Sequence, residues 1–388
     1  MDNENKEMAE NTEMSINEGT GKKNGFFKRM SLPKKIIFII VVILLIAALA
    51  LGITFLVIQN MGRAALKESA KAYSSDESYK TVEYNGKTYT YNENLINILA
   101  MGIDNKHTIS YIREHVNDEK RQLRWNGGQA DALFLITIDP DNKKISVMPI
   151  NRLAMTNIQF YDPAEEAYFT DEGQICTQHG YSTGLEDGCE LQVKATSEML
   201  NYLPINGYVS INLPAISELN HVVGGVEVEV LEDIPPKAHK NYDYGIGDSL
   251  TGVVGQKITL NDNQAYAYIR YREMTNVNSN ENRVKRQKQY IKALVKKVKE
   301  MTKKDIFFPK KMMDALSDYM ITDIDSTELL YLGTTIIGYD IDMDNTEGLP
   351  GEKIEASKYT NGDVTLGFRI DRTRLQELLI KKYYKEKS

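Results

Sequence analysis

The sequence predicts one α/β domain, a central mixed β-sheet covered by helices, standing outside the membrane behind a single transmembrane helix. Three observations predict it. Strand-like and helix-like segments alternate from position 84 to the C-terminus without internal repeats or low-complexity tracts, the pattern of one layered α/β unit. Positions 36–58 hold 23 residues without a charge, and about 20 apolar residues span a bilayer core. The remainder has globular composition, 42% hydrophobic and 26% charged over 388 residues.

The apolar run divides the chain into a cytoplasmic tail (1–35), a signal anchor (36–58), a juxtamembrane helix and linker (59–83) and an extracytoplasmic domain (84–388). Ala48-Leu49-Ala50 resembles a cleavage site, but signal-peptide apolar cores run about 7–15 residues and this run continues past it. Lys22, Lys23, Lys28, Arg29, Lys34 and Lys35 precede the run, whereas Arg63, Lys67 and Lys71 follow it. That excess places the N-terminus in the cytoplasm and the large domain outside. The whole chain carries 47 Lys+Arg against 54 Asp+Glu, net −7. Residues 1–35 hold seven basic and six acidic residues, so the remainder is net −8. An acidic domain beyond the membrane is a poor nucleic-acid binder, because duplex affinity comes largely from basic neutralisation of phosphates. Cys176 and Cys189 are 13 residues apart in that domain. A disulfide is permitted there; two buried thiols are the alternative.

Each element has a local reason. Asn85-Gly86 centres a hairpin. Residues 95–103 are a continuous apolar run, a buried strand. Residues 131–139 and 144–151 are strands joined by Pro140-Asp141-Asn142-Lys143, favourable turn chemistry. Helical periodicity marks 191–203, and 207–213 reads as a strand. A helix over 214–225 opens on Pro and ends on Gly. Strict alternation makes 226–230 a strand, and alternation in AYAYIRYR predicts another at 265–272. Helices are predicted at 282–301, 308–320 and 326–338. A strand at 364–370 leads through Asp371, a suitable N-cap, into a helix over 372–384.

Charged groups suited to phosphate chemistry sit at the ends of these elements. Asp131 and Arg152 are equidistant from the 141/142 turn centre, so an unslipped register pairs them across the hairpin's open end. A strand at 265–272 would project Arg270 and Arg272 from one face. Arg283, Arg286 and Gln287 share a helical face, with Arg283 in the predicted first turn, where a cation opposes the helix dipole and invites an anion. The later lysines of that helix suit an ordinary basic face. Asp104 directly follows the buried strand 95–103, where ligand sites of α/β sheets lie. Guanidinium forks suit phosphate oxygens, and Mg²⁺ takes one or two carboxylates plus substrate phosphates.

These segments, in this order, resemble the LytR-CpsA-Psr family of cell-wall phosphotransferases from about residue 93 to 300, and more weakly beyond. The strand end Met101-Gly102-Ile103-Asp104 is similar to the family's G-x-D. Gly128-Gln129-Ala130-Asp131 resembles G-R-S-D, Ile150-Asn151-Arg152-Leu153 resembles I-P-R-D, His179-Gly180-Tyr181 an H-A-Y turn, and Gly224-Gly225-Val226 G-G-V. The most specific stretch runs from Leu260-Asn261 through Gln264-Ala265 to Tyr268-Ile269-Arg270-Tyr271-Arg272, then Arg283 and Arg286-Gln287. Leu349-Pro350-Gly351-Glu352 resembles a further loop. Lys106, Gln129 and Leu153 depart from the family pattern, Asn280 stands near a usual acid, and segment 105–130 is longer and more polar.

The resemblance implies a membrane-anchored bacterial enzyme. It would move a glycopolymer (teichoic acid, capsule or similar) from a polyprenyl-pyrophosphate carrier to a hydroxyl of peptidoglycan, the lipid tail lying in an apolar tunnel. The expected metal ligands are Asp104 and Asp131, for Mg²⁺ or Mn²⁺. The expected pyrophosphate ligands are Arg152, Arg270, Arg272, Arg283 and Gln287, and the catalytic set is Asp104, Arg152, Arg270 and Arg272. The altered positions leave two alternatives, binding of the lipid diphosphate without transfer, or its hydrolysis.

Overall fold

The computed structural model describes residues 32–73, 76–115, 127–162, 164–182, 185–235, 250–273, 279–342, 347–356 and 365–387. The expected tail up to residue 31 and residues 116–126 of the long polar segment lie outside them. The chain divides into two compact units, Met1–Leu56 and Val57–Ser388. Helix α1 runs Leu32–Tyr73 and contains the expected span, most of whose side chains before residue 48 also lie outside the description. Among the described residues no helix is long and apolar enough to cross a membrane.

The second unit is built on a hairpin core. After β1 (Thr81–Tyr84) and β2 (Lys87–Tyr91), strand β3 (Ile96–Ile103) enters the centre of the molecule; the short helix α2 (Ile109–His115) follows it. Strands β4 (Ala130–Asp139) and β5 (Lys144–Ile150) form the next hairpin, and β6 (Met155–Asp162) and β7 (Ala167–Gln174) a third. Then come α3 (Leu185–Met199), β8 (Gly207–Asn212), α4 (Ala215–Val222), β9 (Val226–Glu229), β10 (Lys257–Leu260), α5 (Asp262–Arg270) and α6 (Ser279–Lys304). The chain finishes with α7 (Phe308–Leu316), β11 (Met320–Thr322), α8 (Ser326–Ile337), β12 (Asp340–Asp342), β13 (Gly351–Ala356), β14 (Thr365–Ile370), α9 (Arg372–Tyr383) and β15 (Tyr384–Glu386).

The central sheet has six strands in the order β11-β8-β3-β4-β5-β12. It is mixed: β3 pairs parallel with β8 and β12 with β5, while β3–β4, β4–β5 and β11–β8 are antiparallel. Strand β3 is apolar on both faces because both faces are covered. Leu99, Met101 and Ile103 enter the main core with Val193 and Met199 of α3 and Leu375 and Leu379 of α9. Ile96 and Ile98, one residue out of phase with those, pack on the opposite side with Tyr331 and Leu332 of α8 and with Leu66 of α1. A third core joins β9, β10 and α4 to α5, α6 and α7 around Val226, Tyr268, Tyr290 and Phe308.

Residues 59–73, expected as juxtamembrane helix and linker, are a packed part of this unit. Leu66 is fully buried, Asn206 Nδ2 donates to the Leu66 carbonyl at 2.9 Å, and Gln59 Nε2 donates to Thr334 Oγ1 at 2.7 Å. Gly62 permits the approach of α1 to α8, since a Cβ there would lie 2.5 Å from the Thr327 carbonyl oxygen.

The structure corrects three expectations and decides between the two alternatives left open for the cysteines. Residues 265–272 are not a strand: α5 covers Asp262–Arg270. The alternation of small and large residues imitates period two, but Asn261 and Gln264 form a reciprocal capping box that commits the segment to a helix. Helix α6 starts at Ser279, so Arg283 lies in its second turn and the dipole argument weakens. Cys176 and Cys189 are separate, buried, free thiols. The helix predicted over 191–203 begins earlier and stops at Met199, because Asn201 and Tyr202 take positive φ.

Candidate active site

The β4–β5 hairpin sets the first pair of site residues. Its register runs Asp139↔Lys144 to Leu133↔Ile150 without a slip, and carrying it one pleat further pairs Asp131 with Arg152. Arg152 Nη1 donates to Asp131 Oδ1 in an ion pair, with both side chains about one-third exposed. The expected cross-strand pairing is therefore present.

Asp104 is brought alongside by a bulge. The β3–β4 register shifts between Gly102 and Ile103, and the Asp104 N–H donates to the Gln129 carbonyl at 3.0 Å. The Gln129 N–H in return donates to Asp104 Oδ1 at 2.6 Å. Gly128 makes this closure possible. Its φ is +94°, and a Cβ would lie 2.7 Å from Ile103 Cγ2 and 2.8 Å from Asp104 Oδ1. Lost solvation raises the Asp104 carboxyl above the ordinary aspartate value, the Gln129 N–H opposes this, the Asp131 charge adds to it, and Arg152 and Arg270 oppose it. Asp104 still touches solvent, so the desolvation comes from crowding on one side. These mutual influences put both carboxylates and both arginines in one electrostatic neighbourhood.

Helices α5 and α6 supply the remaining arginines. With α5 helical, Arg270 lies one turn beyond Tyr266 and donates Nη1 to its hydroxyl at 2.6 Å. Tyr271 then turns the chain to extended backbone at φ −49°, ψ 133°, and Arg272 follows on that segment. Arg283 is half-buried and held below its ordinary value, first by desolvation; Asp131 opposes this, and Arg152, Arg272 and Arg286 reinforce it. Arg283 is thus within electrostatic reach of Asp131, Arg152 and Arg272, as Arg270 is of Asp104. Gln287 Nε2 donates to the Ile269 carbonyl at 3.3 Å, which makes it a strut between the two helices in this state. Arg286 belongs to the scaffold. It is fully buried, donates to the carbonyls of Tyr268 and Tyr271, pairs with Glu232 at 2.8 Å, and lies against both tyrosine rings.

Two supporting groups escaped the sequence reading as site residues. His179, completely buried in a 3-10 turn (Ile175–Gly180), places Nδ1 3.0 Å from the Gly128 carbonyl and so pins the segment before β4 to which Asp104 is hydrogen-bonded through Gln129. Burial lowers its pKa to about 4, so the imidazole is neutral at pH 7. Cys176 accompanies it, its Sγ 3.8 Å from Gln129 Oε1, and burial pushes its thiol up to about 12. Nothing in a single sequence distinguishes these from ordinary core residues. Leu153, where the family pattern has an acid, packs against the main core instead.

Among the described residues no group of three or more His, Cys, Asp or Glu side chains could hold a metal by themselves. The donor set that is present, two adjacent carboxylates ringed by arginines, fits a hard divalent cation that completes its shell with phosphate oxygens and water.

Comparison with known proteins shows which family the chain resembles. The chain is 28% identical over 297 residues to a polyisoprenyl-teichoic acid–peptidoglycan teichoic acid transferase TagU of Enterococcus faecalis, covering 76% of this chain and 81% of the relative. It is 26% identical over 348 residues to the corresponding transferase TagV of Bacillus subtilis, covering 87% and 76%. The crystal structure of B. subtilis TagV shares the fold at TM-score 0.52 and 22% identity, over 74% of this chain and 95% of that one. Protein gbs0355 of Streptococcus agalactiae does so at 0.55 and 21%, over 74% and 86%. Residues 56–380 match the model of the LytR_cpsA_psr family, and the chain belongs to that family.

Proposed function

We propose that this chain is a membrane-anchored phosphotransferase that moves a teichoic-acid-like glycopolymer from a polyprenyl-pyrophosphate carrier to a peptidoglycan hydroxyl. The observation that carries the reading is the charge cluster at the open end of the central hairpin, where Arg152 pairs with Asp131, Arg270 acts on Asp104, and Arg283 acts on Asp131 and on Arg272. In phosphoryl transfer the protein mostly positions and neutralises. The four guanidinium groups bind the non-bridging oxygens of the diphosphate and stabilise charge on the departing phosphate. Gln287, one step behind, steadies the approach of α6 to α5 and adds an amide donor. The acceptor oxygen forms a bond to the polymer-side phosphorus as the bond from that phosphorus to the bridging oxygen breaks. The polymer leaves with its phosphodiester, and the lipid leaves as its monophosphate. Asp104, with its raised carboxyl pKa, is placed to take the acceptor's proton.

Asp104 and Asp131 would hold Mg²⁺ or Mn²⁺. That ion would neutralise diphosphate charge when bound. The uncharged run at 36–58 and the lysines before it support a single-pass anchor with the domain outside the cell, and an apolar tunnel would take the lipid tail. The acidity of the outer domain supports a role without nucleic acid.

The test is transfer from a lipid-linked donor to peptidoglycan, scored by release of polyprenyl monophosphate. Arg270→Ala and Arg283→Ala are each expected to lower it by at least about 10²-fold while the fold persists. Unchanged turnover in both variants overturns the assignment. Equal monophosphate release with and without peptidoglycan identifies a hydrolase, and lipid binding without release a non-catalytic carrier.

A further inference from the structure

Helix α6 carries a second basic feature that the reaction centre does not use. Lys285, Lys288, Lys292, Lys296, Lys299 and Lys303 recur at spacings of three and four, which at 3.6 residues per turn gathers them within about 80° of arc and about 27 Å of helix. Arg283 projects from the other side, about 160° away, so the stripe is separate from the arginine cluster. Like charges at these spacings destabilise a helix, and an ordinary solvated face would intersperse acids along the row.

The stripe also has a shape. Its distal part (Lys292, Lys296, Lys299 and Lys303) lines a groove of about 560 Å³ together with Lys257 of β10, and the three acids of the same lining, Glu300 of α6 and Glu227 and Glu229 of β9, leave the ammonium groups in excess. Lys299 donates to the Tyr339 carbonyl at 2.6 Å, which fixes the floor near β12. Lys292, Lys296 and Lys303 are exposed.

We propose that this groove binds an extended phosphodiester polymer, away from the bond that reacts. A row of ammonium groups along one wall suits a chain with regularly spaced phosphates. A flat anionic membrane is disfavoured, because the surface is concave, Glu227, Glu229 and Glu300 would face it, and the apolar lining residues are buried (Val228) or half-buried (Ala293 and Ile341) and offer no protruding anchor. The choice of polymer rests on the transferase reading; the groove itself does not. It would hold the anionic body of the donor and so favour charged polymers over neutral glycans.

The full chain in neutral detergent is titrated with fluorescent, lipid-free glycerol-phosphate oligomers of graded length. Affinity should rise with length and fall with salt. The triple variant Lys292→Gln/Lys296→Gln/Lys303→Gln should bind the longest oligomer at least tenfold more weakly, with a shallower salt dependence, and Lys292→Arg/Lys296→Arg/Lys303→Arg should retain binding. Arg270→Ala should keep oligomer binding while losing transfer. Unchanged affinity in the triple Gln variant overturns the proposal. So does a loss confined to phosphatidylglycerol vesicles, which would make the face a membrane contact. If transfer proceeds normally but the triple Gln variant binds oligomers as the parent does, the groove falls and the transferase stands. If no transfer is found yet the lysine variants lose oligomer binding, the reverse holds.

Discussion

Replacing Arg286 by Met should unfold the site from behind. The side chain is 0% exposed and supplies donors to the Tyr268 and Tyr271 carbonyls as well as an ion pair to Glu232. Met preserves most of the bulk, so the loss is electrostatic rather than a cavity. Two carbonyls left without donors cost about 1–3 kcal/mol each. Glu232 keeps 24% side-chain exposure, so water screens its loss and it adds little. The sum, about 2–6 kcal/mol, brackets the ~3–5 kcal/mol cost of breaking a buried pair from one side and is a large share of a typical stability of about 5–15 kcal/mol. Urea unfolding of the full chain in detergent, followed by tyrosine circular dichroism, measures it. Arg286→Lys should recover little, because one ammonium cannot reproduce the planar fork that reaches both carbonyls. Transfer should fail even where the variant stays folded, since Arg270 and Arg272 flank the clamped residues. A loss below about 1 kcal/mol in the Met variant, with activity intact, would refute the clamp.

Other outcomes follow from the same geometry. Gly128→Ala should destabilise the chain by about 1–3 kcal/mol, because φ is +94° and Ala is strained there; it should also displace Asp104, and a stable, active variant would contradict the packing. His179 has a folded pKa of about 4 against 6.5 for the free group. The unfolded chain therefore binds a proton first as pH falls, and stability should drop between about pH 6.5 and 4, by up to roughly 3 kcal/mol. His179→Gln should flatten that part of the stability–pH profile, and an unaltered profile would show that other groups cause it. Asp104→Asn should abolish transfer yet slightly raise the neutral-pH melting temperature, because the desolvated carboxylate disfavours folding above its raised pKa; a lowered melting point would argue for a purely structural carboxylate.

The legible parts of the molecule are those where burial imposes a pattern. Strands β3, β4 and β5 read correctly because both of their faces are covered and their turn chemistry is unambiguous. The same turn arithmetic located the Asp131–Arg152 pair. The β6–β7 hairpin was missed because it buries little beyond Thr156 and Ile158 and Gly173 opposite them, leaving no apolar period to detect. Residues 265–272 alternate like a strand, and the capping box at Asn261 and Gln264 overrides that alternation. The arginines were found all the same, since chain order brings them to the site whichever conformation carries them. His179 was out of reach: its role depends on the Gly128 carbonyl 51 positions away, and pattern within one sequence carries no such pairing.

The β4–β5 hairpin has a consequence for how this protein can change over evolution. The turn at Pro140–Lys143 is on the surface, far along the strands from Asp131 and Arg152, and touches neither. Yet the number of residues in it decides which side chains stand opposite each other at the far end. Substitutions in the turn that keep its backbone, including the positive φ of Lys143, should leave the register intact even where they cost a local contact such as Lys385–Asp141, while a single insertion or deletion there would slide one strand against the other and separate the ion pair. The turn works as a gauge block: for the distant site its length matters more than its letters. Natural variation among relatives should therefore accumulate there in letters and almost never in count.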